Sequence, residues 1–240
     1  MPREMHGPSL HLRIAGARTA LQPRTEAVFA RDRFQMKISS ATFDSSAVDL
    51  ASCPQLPLPE FAFIGRSNVG KSTMLNRIAQ KPDLARVSDT PGFTKTINFF
   101  TINRRLRLVD LPGYGFAKAS QQERARYAGM IEEYLLQREI LECVFVLVDA
   151  SIPPQAVDLD FVQWIGRAQK PFCLVFTKTD KVKGNKAQMH VEQFLAAISG
   201  WFEAPPQFFI SSAKSQQGVS ELHQFIDVVT SEVEKSKGYA

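Results

Sequence analysis

The stretch GRSNVGKS, Gly65 to Ser72, constrains this 240-residue chain more than any other. It follows the apolar run FAFI (Phe61 to Ile64) and opens a segment with helical periodicity, the setting of a phosphate-cradling loop. In the pattern G-x-x-x-x-G-K-[ST], Gly65 and Gly70 let the backbone N–H groups of Arg66, Ser67, Asn68 and Val69 converge on phosphate oxygens. Lys71 reaches the outer phosphates, and the Ser72 hydroxyl, followed by Thr73, can ligate Mg²⁺ at a positive helix N-terminus. The bare pattern arises by chance in roughly one chain in fifty of this length. The strand before it and the helix after it therefore carry the assignment against the competing structural reading, a glycine-rich turn without a ligand.

Apolar strand candidates recur around this loop: FAFI (61 to 64), INFFTI (97 to 102), LRLVD (106 to 110), CVFVLVD (143 to 149), FCLVFT (172 to 177) and QFFIS (207 to 211). Several are almost continuously apolar, as strands covered on both faces must be. Helical spacing separates them, in Tyr127, Met130, Ile131, Tyr134 and Leu135, then Val157, Phe161, Trp164 and Ile165. It returns in Val191, Phe194, Leu195 and Ile198 and in Leu222, Phe225, Ile226 and Val229. Ser120 and Glu123 form a capping-box signature at the head of the first of these helices. The alternation predicts an α/β fold of three layers. Its six-stranded, mostly parallel sheet carries helices on both faces and binds ligands beyond the strand C-termini. INFFTI-NR-RLRLVD reads as a hairpin that places one antiparallel strand at an edge.

With 44% hydrophobic and 22% charged residues, the chain can bury one substantial core plus an extension. Residues 36–59, including ATFDSSAVDL and the proline-punctuated CPQLPLPE, read as a lead-in packed on a main domain at 60–235. Residues 1–35 hold six arginines (Arg3, Arg13, Arg18, Arg24, Arg31, Arg33) among Glu4, Glu26 and Asp32, with no clear apolar period. Disorder, or an upstream start artefact, is expected there, and an arginine-rich transit peptide is the weaker alternative. Cys53, Cys143 and Cys173 lack metal-ligand spacing and read as buried reduced thiols. No run approaches the roughly 20 apolar residues of a membrane span, and the N-terminus lacks the apolar centre of a signal peptide. A cytoplasmic, non-membrane protein is expected. The net charge of +5 and the pI near 9.2 suit a polyanionic partner, and solubility accounts for them nearly as well.

Four further segments follow the phosphate loop in a fixed order, each at or near a strand end. Asp110-Leu111-Pro112-Gly113 closes LRLVD, where Asp110 would hold Mg²⁺ through a water and the Gly113 N–H would meet the terminal phosphate. An ordinary turn after a strand also explains this tetrapeptide. Thr94, within Gly92-Phe93-Thr94-Lys95-Thr96, could supply a second hydroxyl to Mg²⁺, an ion that favours few protein ligands plus phosphates and waters. Thr177-Lys178-Thr179-Asp180 closes another buried strand. A carboxylate there accepts from guanine's ring N–H and exocyclic amine, a donor pair adenine lacks, and the Lys178 stem can cover the base face. Ser211-Ser212-Ala213, before Lys214, lets a backbone N–H approach the guanine carbonyl oxygen. Chance agreement of all five segments in this order is negligible, which points to GTP and GDP as ligands.

These residues resemble the EngB (YsxC/YihA) family of ribosome-biogenesis GTPases, within the translation-factor-related class of P-loop GTPases. The match lies in PEFAFIGRSNVGKST, SDTPGFTKTINFF, LRLVDLPGYGFAK, TKTDK and SSAK and spans about residues 36 to 235. The resemblance implies a P-loop GTPase fold, slow Mg²⁺-dependent GTP hydrolysis, association with the large ribosomal subunit or its rRNA during assembly, and a requirement in cell division and septation. Thr177 stands where many GTPases have Asn, and the EngB-like pattern commonly shows Thr there. Tyr114 occupies the position at which a Ras-like enzyme places a water-orienting Gln, so Lys71, Thr94 and Gly113 carry the expected catalysis with no obvious side-chain base. Asn68 is either a K⁺ ligand, as in related GTPases with Asn at this loop position, or a loop cap.

For an RNA partner the candidates are Arg104, Arg105 and Arg107 at the hairpin and Lys181, Lys183 and Lys186 after the base motif, each cluster competing with a plainly solvated face. A monomeric state is expected. The leading alternative function is a GTPase engine for an RNA-modifying or other complex, and an ATP-dependent kinase is disfavoured by Asp180.

Overall fold

Period-two alternation along the strands divides the apolar residues between two faces, and this division builds the molecule. The computed structural model describes residues 36–85, 96–114, 120–212 and 217–236. In chain order the elements are β1 (Ala41–Ala47), β2 (Glu60–Gly65), α1 (Lys71–Ile78), β3 (Ile97–Ile102), β4 (Leu106–Asp110) and α2 (Gln121–Gln137). They continue with β5 (Leu141–Asp149), α3 (Ala156–Arg167), β6 (Phe172–Thr177), α4 (Lys186–Ile198), β7 (Phe208–Ile210) and α5 (Val219–Ser236). The sheet order is β1-β3-β4-β2-β5-β6-β7. Strands β4, β2, β5, β6 and β7 run parallel, while β3 is antiparallel to both β1 and β4.

The sheet has seven strands among the described residues, where the sequence predicts six with β3 at the edge. The additional strand is β1, drawn from the segment read as a lead-in, so β3 lies inside and pairs on both sides. ATFDSSA shows no clean alternation for a physical reason. Its register slips between Phe43 and Ser45, a β-bulge, and Thr42, Phe43 and Asp44 face solvent. The β3–β4 hairpin turns at Asn103 and Arg104, both at positive φ (51° and 56°), as a tight primed turn demands. Asn103 Oδ1 then accepts from the Ser39 and Ser40 amides at 2.7 and 3.1 Å and fastens the entry to β1.

On one face, Phe61 and Phe63 of β2 and Phe145 of β5 pack with Phe209, Phe225 and the buried stripe of α5 (Leu222, Ile226, Val229) and with Met74, Leu75 and Ile78 of α1. Phe145 sits at its centre, with ring centroids 4.9 Å from Phe63 and 5.8 Å from Phe225. The alternate residues Ala62, Ile64, Val144 and Val146 face the opposite layer, made with Tyr134 and Leu135 of α2, Val162 and Ile165 of α3 and Phe194 of α4. The capping box at Ser120 and Glu123 is formed and starts α2. The three cysteines are free and buried, and burial pushes the Cys53 thiol up to about 11.

Charges beneath the sheet staple the lead-in. Glu60 is fully buried and accepts from Tyr134 Oη at 2.9 Å and from Arg138 Nε and Nη2 at 2.8 and 2.7 Å. Arg138 also donates to the Pro54 carbonyl, and Arg107 donates to the Leu56 carbonyl and to Asp44. A buried carboxylate that accepts three hydrogen bonds, two of them from one guanidinium, is compensated for its desolvation. Arg107, a candidate RNA contact in the sequence, is thus an interior residue.

Candidate functional site

The chain leaves β2 through α1 towards β3 and β4 on one side and reaches β5 on the other, so the strand order reverses at β2. In an open parallel sheet the crevice forms beyond the carboxyl end of that strand. Gly65 to Gly70 occupies it. Gly65 ends β2, where a Cβ would stand 2.8 Å from the Leu147 carbonyl oxygen and 2.9 Å from a Val69 methyl. Asn68 (φ 63°) and Gly70 (φ 100°) take left-handed backbone, which Asn tolerates and Gly adopts freely. Asn68 is exposed, and its backbone alone accounts for an Asn here as well as a cation ligand does.

Helix α1 starts at Lys71 with no side-chain cap hydrogen bond and no acidic residue in its first turn. Its leading amides are left to an anion, and the positive end of the helix dipole adds to the attraction. Ser72 and Thr73 lie in that turn, partly exposed. The Lys71 ammonium is paired with the Asp110 carboxylate at the end of the neighbouring strand β4. Lys71 and Asp110 thus meet at one corner, with Ser72 next along the first turn of α1, residue types that suit a phosphate chain with Mg²⁺.

Beyond Asp110, Leu111 donates to the Phe63 carbonyl at 3.1 Å and runs with Pro112 and Gly113 through buried backbone. A Cβ on Gly113 would stand 2.7 Å from the Gly65 carbonyl oxygen, so only glycine brings this strand end against the phosphate loop. Arg66 and Tyr114 make an isolated parallel bridge. The Arg66 side chain turns away from the loop to Asp158 of α3, Nε to Oδ2 at 2.9 Å, and the Tyr114 hydroxyl donates to Asp158 Oδ1 at 3.0 Å. Burial above all pushes the Tyr114 phenol well up, with the Asp158 charge adding to it. Sequence reasoning missed Asp158, which lies 92 residues from Arg66 in an unremarkable helical stretch.

The base motif begins at Thr177, whose side chain meets the phosphate loop. This threonine is buried at the end of β6, and its hydroxyl lies 2.8 Å from the Val69 carbonyl and 3.3 Å from that of Val148. The amide that Asn would contribute is therefore not needed for the brace. Lys178 is left-handed (φ 59°), and its ammonium meets Asp149 Oδ2 at 2.6 Å. Burial alone would raise the Asp149 carboxyl; the bonds from Lys178 and Ser151 outweigh it and hold the group below its usual range. Asp149 escaped the sequence reading, although its place at the end of β5 beside β6 was the available signal.

Thr179 and Asp180 begin a single 3-10 turn, Thr179–Lys181. Asp180 is exposed, and Ser212 Oγ donates to its Oδ1 at 2.5 Å, which brings the two proposed base-reading segments together. Ser211 is anchored by its amide to the Phe176 carbonyl at 2.7 Å. Thr96 stands just before β3, with its hydroxyl donating to Asn98 Oδ1 of that strand at 3.0 Å. Gly92, Phe93, Thr94, Lys95 and Ala213 lie outside the described residues.

Of the remaining basic candidates, Arg105 is committed to α5, with Nη2 2.7 Å from Glu234 and Nη1 3.3 Å from Asp227. Lys181, Lys183 and Lys186 are exposed on the rim beside Asp180. No helix among the described residues is long and apolar enough to cross a membrane.

The site elements β2, α1, β3, β4 and β6 fall within residues 60–178, which match the family model described as "50S ribosome-binding GTPase". A "Probable GTP-binding protein EngB" of Bacteroides thetaiotaomicron is 43% identical over 202 residues, 84% of this chain and 100% of that protein. The namesake from Flavobacterium johnsoniae is 43% identical over 203 residues, covering 84% of this chain and 96% of its own length. Among solved structures, a probable GTP-binding protein engB aligns with a TM-score of 0.58 and 26% identity, covering 72% of this chain and 99% of that one. On this identity over nearly the full length of its relatives, the chain belongs to the EngB family of GTP-binding P-loop GTPases.

Proposed function

We propose that this GTPase is a nucleotide-controlled assembly factor of the large ribosomal subunit, slow in hydrolysis without an activator and needed for normal cell division. The observation that carries this reading is the match of residues 60–178, the part bearing the phosphate loop and the start of the base motif, to a family described as a 50S ribosome-binding GTPase. The net charge of +5 and the exposed Lys181, Lys183 and Lys186 beside Asp180 suit an RNA surface close to the nucleotide.

In this reading Gly65 to Thr73 cradles the phosphates and Lys71 exchanges Asp110 for phosphate oxygens. Asp180 reads guanine's donor pair, with Lys178, Thr179 and the Ser211–Ala213 loop completing the base pocket. Ser72, Thr94 and, through water, Asp110 would hold Mg²⁺, which when bound neutralises charge on the phosphates. Gly92 to Thr96 and Leu111 to Gly113 flank the terminal phosphate, where γ-phosphate contacts order segments that GDP releases. K⁺ at Asn68 is the proposed substitute for an arginine finger.

Sedimentation with ribosomal subunits in GTP, GDP and no nucleotide tests the reading. Co-migration with the large subunit in a nucleotide-dependent manner is expected. Failure to co-migrate in any state would remove the ribosomal role and leave the GTPase assignment standing.

A further inference from the structure

Three parts of the molecule that are distant in sequence meet at one buried carboxylate. Asp158, in the first turn of α3, is 1% exposed. It receives Arg66 Nε at 3.1 Å on Oδ1 and 2.9 Å on Oδ2, and the Tyr114 hydroxyl at 3.0 Å on Oδ1. The Tyr114 ring lies flat against Phe161, one turn along the same helix, with centroids 4.5 Å apart and planes 17° apart. Phe161 is backed by Trp164 at 5.6 Å. The Tyr114 side chain is therefore held at both its hydroxyl and its ring.

The backbone makes this arrangement bear on hydrolysis. Tyr114 directly follows Gly113, whose N–H is the candidate contact to the terminal phosphate, and its main chain bridges Arg66 at the start of the phosphate loop. The closeness of Gly113 to the Gly65 carbonyl leaves this corner little room to shift without disturbing the loop. The phenol points to α3, so its service to the reaction is to hold the chain in place.

We propose that Asp158 is a positioning residue for GTP hydrolysis: through the Tyr114 hydroxyl and the Arg66 guanidinium it fixes the Gly113–Tyr114 corner against the phosphate loop. The same contacts give α3 a direct mechanical connection to the segment that meets the terminal phosphate. GDP lacks that phosphate and is largely indifferent to the corner's position, so the network discriminates between the two nucleotides. This inference rests on the GTPase assignment and not on any ribosomal partner.

The test uses the full chain with Tyr114→Phe, which removes one oxygen and keeps the ring on Phe161, alongside Asp158→Asn and Asp158→Glu. Affinities for GDP and a non-hydrolysable GTP analogue are measured with single-turnover hydrolysis at saturating GTP and thermal unfolding. Tyr114→Phe and Asp158→Asn are expected to lower the GTP-analogue affinity or the hydrolysis rate by about tenfold, the scale of one hydrogen bond to a charged group. GDP affinity stays within about twofold on the same principle, and Asp158→Glu recovers part of the loss. Equal losses for both nucleotides that track the unfolding temperature, or no loss for Tyr114→Phe, would overturn the proposal. A wild-type chain that neither binds nor cleaves GTP would instead overturn the assignment beneath it.

Discussion

The Thr177 hydroxyl donates to the Val69 carbonyl at 2.8 Å, joining the end of β6 to the middle of the phosphate loop across the sheet's carboxyl edge. A base motif and a phosphate motif 108 residues apart in sequence are thereby tied by a direct hydrogen bond. This brace explains how Thr can stand where many GTPases carry Asn.

Thr177→Val keeps the shape and removes the donor. Leaving the buried Val69 carbonyl without this bond costs about 1–3 kcal/mol, and because the brace serves both halves of the site, GTP and GDP affinities fall together. Thr177→Ser restores them. Calorimetric titration of the three proteins checks this, and an unchanged Thr177→Val protein would show that the bond contributes nothing.

Asp180→Asn replaces a two-acceptor carboxylate with a group that must donate from one side. Two lost charge-assisted hydrogen bonds weaken guanine nucleotides by about 10² to 10⁴-fold. A base with a carbonyl in place of the exocyclic amine, xanthine, becomes the better partner. Equilibrium titration with GDP and xanthosine diphosphate should show the preference reversed.

His223 donates from Nε2 to the Ile78 carbonyl at 2.8 Å, while its buried Nδ1 has no partner among the described residues. Burial depresses its pKa below the ordinary 6.5, against the smaller effect of that bond. The unfolded chain therefore binds a proton that the folded one refuses, so stability present above pH 6.5 is lost as pH falls from there towards the folded value. His223→Gln keeps the donor and removes the titration. Its unfolding free energy should fall less steeply with acid than the wild type, by at most about 1.4 kcal/mol per pH unit.

Potassium separates the two readings of Asn68. Hydrolysis several-fold faster in K⁺ than in Na⁺ at equal ionic strength, lost in Asn68→Ala, is expected if the side chain holds the cation. Equal rates in the two salts would leave Asn68 as a residue chosen for its left-handed turn.

Under the proposed ribosomal role, charge reversal at Lys181, Lys183 and Lys186 should weaken large-subunit binding with little change in stability, since these side chains are exposed. Arg105→Ala should do the opposite, because its guanidinium is spent on Glu234 and Asp227. Pelleting and thermal melts of both variants distinguish the two roles.

What was legible in the sequence follows from how each element is stabilised. Strands β2, β5 and β6 are covered on both faces, so their unbroken apolar runs declared them. The phosphate loop and the capping box of α2 depend on local chemistry and are written locally. Strand β1 is held by pairing with β3 and by polar contacts such as Ser46 to Asn98 at 2.6 Å, and its bulge breaks the period that would reveal it. The Arg66–Asp158–Tyr114 cluster was illegible because no local pattern announces a meeting of three side chains from separate elements. Arg105 and Arg107 looked like a surface patch for the same reason, since their acidic partners come from other elements.

The most direct test of the account is competition for the purified chain between GDP and ADP, read by displacement of a fluorescent GDP. Asp180, held beside Ser212 at the carboxyl edge of the sheet, predicts that GDP displaces the probe while ADP fails to do so at a hundredfold higher concentration. Displacement by ADP at comparable concentration would contradict the guanine site on which the whole reading stands.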